Sequence, residues 1–329
     1  MSLTLFSHKQ AAWLSAYFSK HQLQLLEIQP LQEHADHRKY YRITTTQKSI
    51  ICMLTRKNFD LKKCLQAYNT LKIANLPIAK IYSYDENVAL TLLEDLGNTS
   101  LLSLAQQLSS GYLYYYTKAI DTLELWQKNP VQSAITDHYD QHKAVADMRL
   151  CLTWFINAWG KHHVLPNEKI IWSQAEHYIS TIWRQIPTTL CHRDFHADNL
   201  FIHQSAIHII DYQDLAHGPI YYDLASLLTD HYYSHTDGVQ QQLINHFLKK
   251  KDIPFNHEHY QAVVIQRHIK NLGIFCRLHE RDKKSRYLRY LPRLLQTMDA
   301  HCKEETPLKS LVTMLTRVYN RTSSPVITA

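Results

Sequence analysis

Leu190-Cys191-His192-Arg193-Asp194-Phe195-His196-Ala197-Asp198-Asn199, followed by the apolar run Ile207-His208-Ile209-Ile210 that ends in Asp211, is the stretch on which the reading of this chain turns. It offers a carboxylate, a side-chain amide and a second carboxylate on short loops between strand-like segments. That set is what holding a metal-bound triphosphate beside a hydroxyl nucleophile requires. Asp194 stands where the catalytic-loop aspartate of H-R-D-x-x-x-x-N stands and can accept the proton of an attacking hydroxyl; Asn199 can bind magnesium through its amide oxygen. Asp211 closes a run of apolar or β-favouring residues, so it is expected at the end of a buried strand, pointing at the same cation. Magnesium takes hard oxygen ligands and keeps part of its water shell, so one carboxylate, one amide and the phosphates suffice. Taken singly, these residues are ordinary turn or cap chemistry, and His192 and His196 are expected to brace the loop rather than to transfer protons. In register, with the hairpin Leu200-Phe201-Ile202-His203 and Ile207-His208-Ile209-Ile210 between them, they predict ATP-dependent phosphoryl transfer.

Composition narrows the field. The chain has 329 residues, 45% hydrophobic and 20% charged, which suits about two folded domains and not a disordered polymer. No apolar run is long enough to span a bilayer, and Met1-Ser2-Leu3-Thr4-Leu5-Phe6 lacks a basic region followed by a long apolar core, so a cytoplasmic protein with no membrane partner is expected. Cys52, Cys64, Cys151, Cys191, Cys276 and Cys302 form no C-x-x-C pair, the usage of reduced, buried thiols. The 22 histidines show no H-E-x-x-H or similar spacing, which argues against a transition-metal enzyme. A formal charge of +7 raises the question of nucleic acid. Its densest stretches, Lys249-Lys250-Lys251 and Arg281-Asp282-Lys283-Lys284, fall at expected helix ends, where the dipole favours cations, and no nucleic-acid-binding signature accompanies them. The basic excess suits an enzyme handling anionic ATP.

Periodicity predicts an α+β, bilobal, protein-kinase-like fold with a small β-rich N-lobe and a larger, mainly helical C-lobe. Residues 1–93 form the nucleotide-covering lobe, with a helix over 7–19, strands over 40–45, 49–54, 78–84 and 88–93, and a helix over 61–74. Residues 94–97, Glu94-Asp95-Leu96-Gly97, read either as a hinge whose backbone meets an adenine edge or as a plain strand-to-helix turn. Residues 98–329 form the helical lobe, with helices over 101–108, 112–127, 144–159, 172–185, 221–233, 239–250, 257–279 and 287–300, and the tail 321–325 is expected to be frayed.

The catalytic stretch, with Ile210-Asp211-Tyr212-Gln213-Asp214 and Gly218-Pro219-Ile220-Tyr221-Tyr222-Asp223-Leu224-Ala225, resembles the aminoglycoside phosphotransferase and choline kinase superfamily. Within it the chain is most similar to the bacterial cell-wall sugar kinases that phosphorylate N-acetylmuramate and N-acetylglucosamine at the anomeric hydroxyl. Arg38-Lys39-Tyr40-Tyr41-Arg42, Leu92-Leu93-Glu94-Asp95-Leu96-Gly97, Lys270-Asn271-Leu272-Gly273-Ile274-Phe275-Cys276-Arg277-Leu278 and Tyr287-Leu288-Arg289-Tyr290 carry the narrower likeness, which spans roughly residues 35–295. The resemblance implies Asp194 as base, Asn199 and Asp211 as magnesium ligands, Asp223 as a buried brace, and a role for the enzyme in peptidoglycan recycling. Independently, an Asp in the first helical turn after Gly218-Pro219 can accept backbone N–H groups, here from the catalytic loop. Asp214 reads either as support for the metal site or as a turn residue.

The pattern also has gaps. None of the six glycines makes a G-x-G-x-x-G, and Ile50-Ile51-Cys52-Met53-Leu54 has no lysine where many kinases place their phosphate clamp. Arg38, Lys39 or Arg42 is a candidate substitute, since a guanidinium grips phosphate bidentately; otherwise these are exposed strand charges. Trp154, Lys270 and Arg277 are candidate acceptor contacts, as polar or aromatic groups on apolar helices, with ordinary amphipathic placement as the alternative. ATP and a small amino sugar are the expected partners of a monomer. Rival readings are a kinase for choline, an aminoglycoside or a protein serine, and a catalytically dead binding module that kept the fold.

Overall fold

Alternating apolar residues in the first part of the chain build one antiparallel sheet. In the computed structural model, which describes residues 3–31, 38–55, 60–107, 111–128, 135–251 and 254–323, strands β1 (Leu25–Pro30), β2 (Lys39–Thr45), β3 (Ser49–Leu54), β4 (Ile81–Asp85) and β5 (Leu90–Glu94) pair in the order β1-β2-β3-β5-β4. The register sets Ile43 opposite Ile50 and Cys52 opposite Leu92. Helix α1 (His8–Lys20) packs Leu14, Tyr17 and Phe18 into the same cluster. It starts on a capping box in which Ser7 and Gln10 satisfy each other's backbone N–H groups. Alternation sends Arg42, Ile51 and Met53 to the opposite face. Helix α2 (Leu61–Ile73), capped by Asp60, follows β3.

The hairpin of β7 (Leu200–His203) and β8 (Ala206–Ile209) is a separate two-stranded sheet. Met1–Ser100 and Phe201–Gln213 make one compact unit, and Leu101–Leu200 with Asp214–Ala329 make the other. Ile209 N–H donates to Pro77 O at 2.8 Å, and Ile202 N–H to Thr99 O at 2.9 Å.

The second unit is built on α9 (His257–Glu280), whose apolar residues are buried on nearly every side. Against it pack α5 (Gln141–Leu150), a π-helical continuation (Cys151–Trp159), α6 (Pro166–Gln185), α7 (Tyr222–Leu228) and α10 (Leu291–His301). Helices α3 (Leu101–Gln106), α4 (Tyr112–Lys128), α8 (Asp237–Lys250) and α11 (Pro307–Ser323) complete it, with a ribbon of β6 (Thr188–Cys191) and β9 (Ala216–Pro219). Five cysteines are buried free thiols, and Cys302 is half-buried and also free. Among the described residues no helix is long and apolar enough to cross a membrane.

Several elements differ from the sequence expectation. The helix expected over 144–159 switches to π geometry at Cys151, where Gly273 of α9 meets the backbone of Leu150 and Cys151; a Cβ built on Gly273 would lie 2.4 Å from Leu150 C and 2.5 Å from Cys151 N. The helix expected over 221–233 ends at Leu228, where Asp230 turns its carboxylate onto the backbone N–H groups of Tyr232, two residues on, and of Ala197. The helix expected over 287–300 is a 3₁₀ turn (Ser285–Tyr290) followed by α10, since Pro292 opens a new first turn rather than continuing an old one. Strand β4 starts only at Ile81, while Ile78 bridges Ile209 in parallel. Strands β1, β6 and β9 and helix α11 have no counterpart among the expected elements; α11 runs through Arg321, Thr322 and Ser323, the front of the tail expected to fray, whereas 324–325 lie outside the described residues.

Because the atoms facing Gly273 are backbone, they cannot step aside. Gly273→Ala is therefore expected to destabilise the fold by about 1–3 kcal/mol, read as a lower urea midpoint, although alanine favours helix more than glycine does.

Candidate active site

Pairing of β6 with β9 brings the catalytic stretch and Asp223 together: Cys191 lies opposite Ala216 and Leu190 opposite His217, so the chain leaving β6 runs beside the start of α7. Gly218 keeps the ribbon close, since a Cβ there would sit 3.3 Å from Cys191 Sγ. Asp223, fully buried, accepts His192 N–H at 2.7 Å and Arg193 N–H at 2.9 Å. Burial raises its pKa, and the histidine and these two N–H groups oppose the rise. Asp230, also buried, accepts Ala197 N–H at 3.3 Å and Tyr232 N–H at 2.9 Å, gripping the far end of the same loop. Burial raises its pKa too.

Between the two braces the loop is strained and crowded with charge. Arg193 has φ +73°, in the left-handed region. Its guanidinium stacks 4.3 Å from the Tyr139 ring and lies 3.7 Å from Asp147. Tyr139 O–H donates to Asp147 at 2.8 Å, and Gln266 donates to Tyr139 Oη at 3.0 Å. Arg267 donates to Arg193 O at 3.4 Å, and Lys270 reaches Asp147 at 3.5 Å. Asp194 itself is open, its side chain 57% exposed, with His196 Nε2 at 3.9 Å. The protein crowding its carboxyl pushes the pKa up, but His196, Lys270, Arg267 and His192 outweigh that and hold it below the usual carboxylate range. It is an ionised acceptor at neutral pH. Asp194 N–H donates to His192 Nδ1 at 3.2 Å, so this ring serves as a brace of the loop.

Asn199 Nδ2 donates to Asp194 O at 3.0 Å. A carbonyl can only accept, so this bond fixes the amide and leaves Oδ1 as the oxygen available to a cation. In the other unit, Asp211 has φ +65° and pairs through Oδ1 with Arg38 at 2.6 Å, while its Oδ2 makes no hydrogen bond among the described residues. Both are hard oxygen donors of the kind magnesium takes.

The remaining candidates are placed as follows. Arg42 grips the 94–97 connector, donating to Asp95 at 2.7 and 2.9 Å, to Gly97 O at 3.0 Å and to Asn98 Oδ1. Lys39 is exposed on β2. Glu94 pairs with Lys80 at 3.1 Å, and Leu96 is buried. Lys270 lies beside Asp147; Trp154, half-buried on the π-helical segment, and Arg277, half-buried on α9, sit farther along the same packed pair. Arg277 Nε is buried without a partner among the described residues, and burial lowers its pKa. Sequence reasoning missed Asp230, Asp147, Tyr139 and Arg267. The run Gln266-Arg267-His268 inside an otherwise apolar helix was the available signal.

Residues 27–259 match the phosphotransferase enzyme family. That is more than half of the chain, which therefore belongs to this family. It is 26% identical over 294 residues to an N-acetylmuramate/N-acetylglucosamine kinase of Neisseria meningitidis, covering 85% of this chain and 87% of the relative. It is 25% identical over 302 residues to one of Pseudomonas aeruginosa, covering 88% of each. The structure of choline kinase LicA from Streptococcus pneumoniae superimposes with a TM-score of 0.67 at 15% identity, covering 89% of this chain and 100% of that one, a likeness of fold. The chain is a phosphotransferase with an α+β, kinase-like fold.

Two substitutions probe the braces. Asp223→Asn keeps one acceptor but turns an N–H₂ toward the second loop N–H, so a loss of about 2–4 kcal/mol in urea unfolding is expected together with a drop in turnover. For Asp95, burial raises the pKa, but hydrogen bonds from Arg42 and Gly97 N–H and the charge of Arg42 bring it below the ordinary 3.8. Its contribution is thus full above pH 3.8 and fades as pH falls through the lowered folded value. The stability gap between the native chain and Asp95→Asn is expected to be about 2–3 kcal/mol at pH 7 and to close in acid, measured by unfolding at a series of pH values.

Proposed function

We propose that this member of the phosphotransferase enzyme family transfers the γ-phosphoryl group of ATP to the anomeric hydroxyl of N-acetylmuramate or N-acetylglucosamine, giving a sugar 1-phosphate and ADP for peptidoglycan recycling. The acceptor class is supported by the names of the relatives matched over most of both chains. The chemistry rests on one observation: Asp194 offers an open carboxylate on a loop held at both ends. As the sugar oxygen bonds to the γ-phosphorus and the bond from that phosphorus to the ADP oxygen breaks, Asp194 positions the hydroxyl and takes its proton. An anomeric hydroxyl is more acidic than an ordinary alcohol, so a carboxylate below its usual pKa range serves as a late acceptor.

Asn199 and Asp211 are the residues that would hold magnesium, which when bound supplies charge neutralisation at the phosphates. Asp223 and His192 keep the loop in shape, and His196 flanks the carboxylate. Glu94 and Leu96 on the 94–97 hinge meet the nucleotide base, with residues 1–93 as the nucleotide-covering lobe and 98–329 carrying the acceptor site. Trp154, Lys270 and Arg277 contact the sugar. The enzyme acts as a cytoplasmic monomer.

An ADP-release screen tests this reading. Turnover is expected with N-acetylmuramate or N-acetylglucosamine; turnover only with choline, an aminoglycoside or a protein serine overturns the acceptor assignment. Asp194→Asn should still bind ATP with magnesium while turnover falls by at least about 100-fold, and near-normal turnover removes Asp194 from the mechanism.

A further inference from the structure

Residues 1–96 contain no glycine, so the sequence there makes no glycine-rich phosphate cradle, and β3 has no lysine. Some other cation must meet the negative charge of the nucleotide. Three described cations of this unit are engaged elsewhere. Arg42 is tied to Asp95, Gly97 and Asn98. Lys80 pairs with Glu94, and Lys48 lies 4.0 Å from the Tyr82 ring. Arg38 differs: its side chain is only 13% exposed, and its guanidinium donates to Asp211 at 2.6 Å and to Gln213 at 3.3 Å.

We infer that Arg38 is the phosphate clamp of this enzyme, a guanidinium held beside Asp211 that takes the place of the strand lysine. The inference deepens the proposal above, resting on its reading of ATP as donor and of Asp211 as a metal ligand. Were Asp211 to hold the cation that neutralises the phosphates, those phosphates would come near its carboxylate and so near Arg38. The planar fork of a guanidinium matches phosphate oxygens bidentately. Asp211 in turn holds the long side chain ready, so little rotamer freedom is lost on binding.

Calorimetric titration of the full chain with ADP, ATP and adenosine, with and without magnesium, tests this. In Arg38→Gln, affinity for ADP and ATP is expected to fall at least about tenfold, the scale of a lost charge-assisted pair, while adenosine binds as to the native chain. Arg38→Lys, which keeps the charge without the fork, should recover part of the loss. Thermal unfolding of both variants checks that the fold is intact. Unchanged ADP affinity in Arg38→Gln, equal loss for adenosine and ADP, or the same loss from Lys39→Gln alone overturns the assignment while leaving ATP as donor. A native chain that binds neither ADP nor ATP overturns the donor reading and the clamp together.

Discussion

Two buried carboxylates closing on the backbone of one loop are the constraint from which the site follows. Asp223 takes the N–H groups of His192 and Arg193, and Asp230 takes that of Ala197. Each bond engages an ionisable acceptor in a poorly solvated place, so losing either partner leaves a buried group unsatisfied rather than merely weakening a contact. This grip lets Arg193 stay in the left-handed region and keeps Asp194, between the braces, open to solvent. A reactive side chain can be exposed and still well placed because its neighbours carry the ordering.

Helix α9 does the matching electrostatic work. Burying Arg267 in an apolar helix is unfavourable unless carboxylates and carbonyls compensate, and here it donates to Arg193 O while influencing Asp194, Asp223 and Asp230. Lys270, one turn on, meets Asp147, which also receives the Tyr139 hydroxyl. The close approach that allows this depends on Gly273, where any side chain would run into the backbone of Leu150 and Cys151. Packing of two helices and the charge state of the loop are thus one problem with one solution.

The first unit applies similar logic with different residues. Arg42 and Arg38 are near neighbours on the same edge of the sequence, yet one is locked onto the connector at Asp95 and Gly97 and the other faces Asp211. Their separation in role comes from what each meets across the unit, not from residue type.

Much of this was legible from the chain alone. The strands around 40–54, the helices of 112–127 and 257–279, and the hairpin before Asp211 follow from local periodicity, and the chemistry offered by Asp194, Asn199 and Asp211 follows from residue type and spacing. An acceptor of N–H groups could be read at Asp223, because an Asp in a first helical turn after Gly-Pro has few other uses. Strand β1, with no clean alternation of burial, left no periodic signal, whereas α11 carried one in Leu308, Leu311, Val312 and Leu315 that went unread. Tertiary structure alone decided which N–H groups Asp223 and Asp230 receive, which arginine faces Asp211, where α5 turns into a π-helix, and that 201–213 joins the first unit. Those outcomes depend on pairing between residues far apart in the chain. Spacing along a sequence encodes the faces of an element, but not the partner that each face will meet.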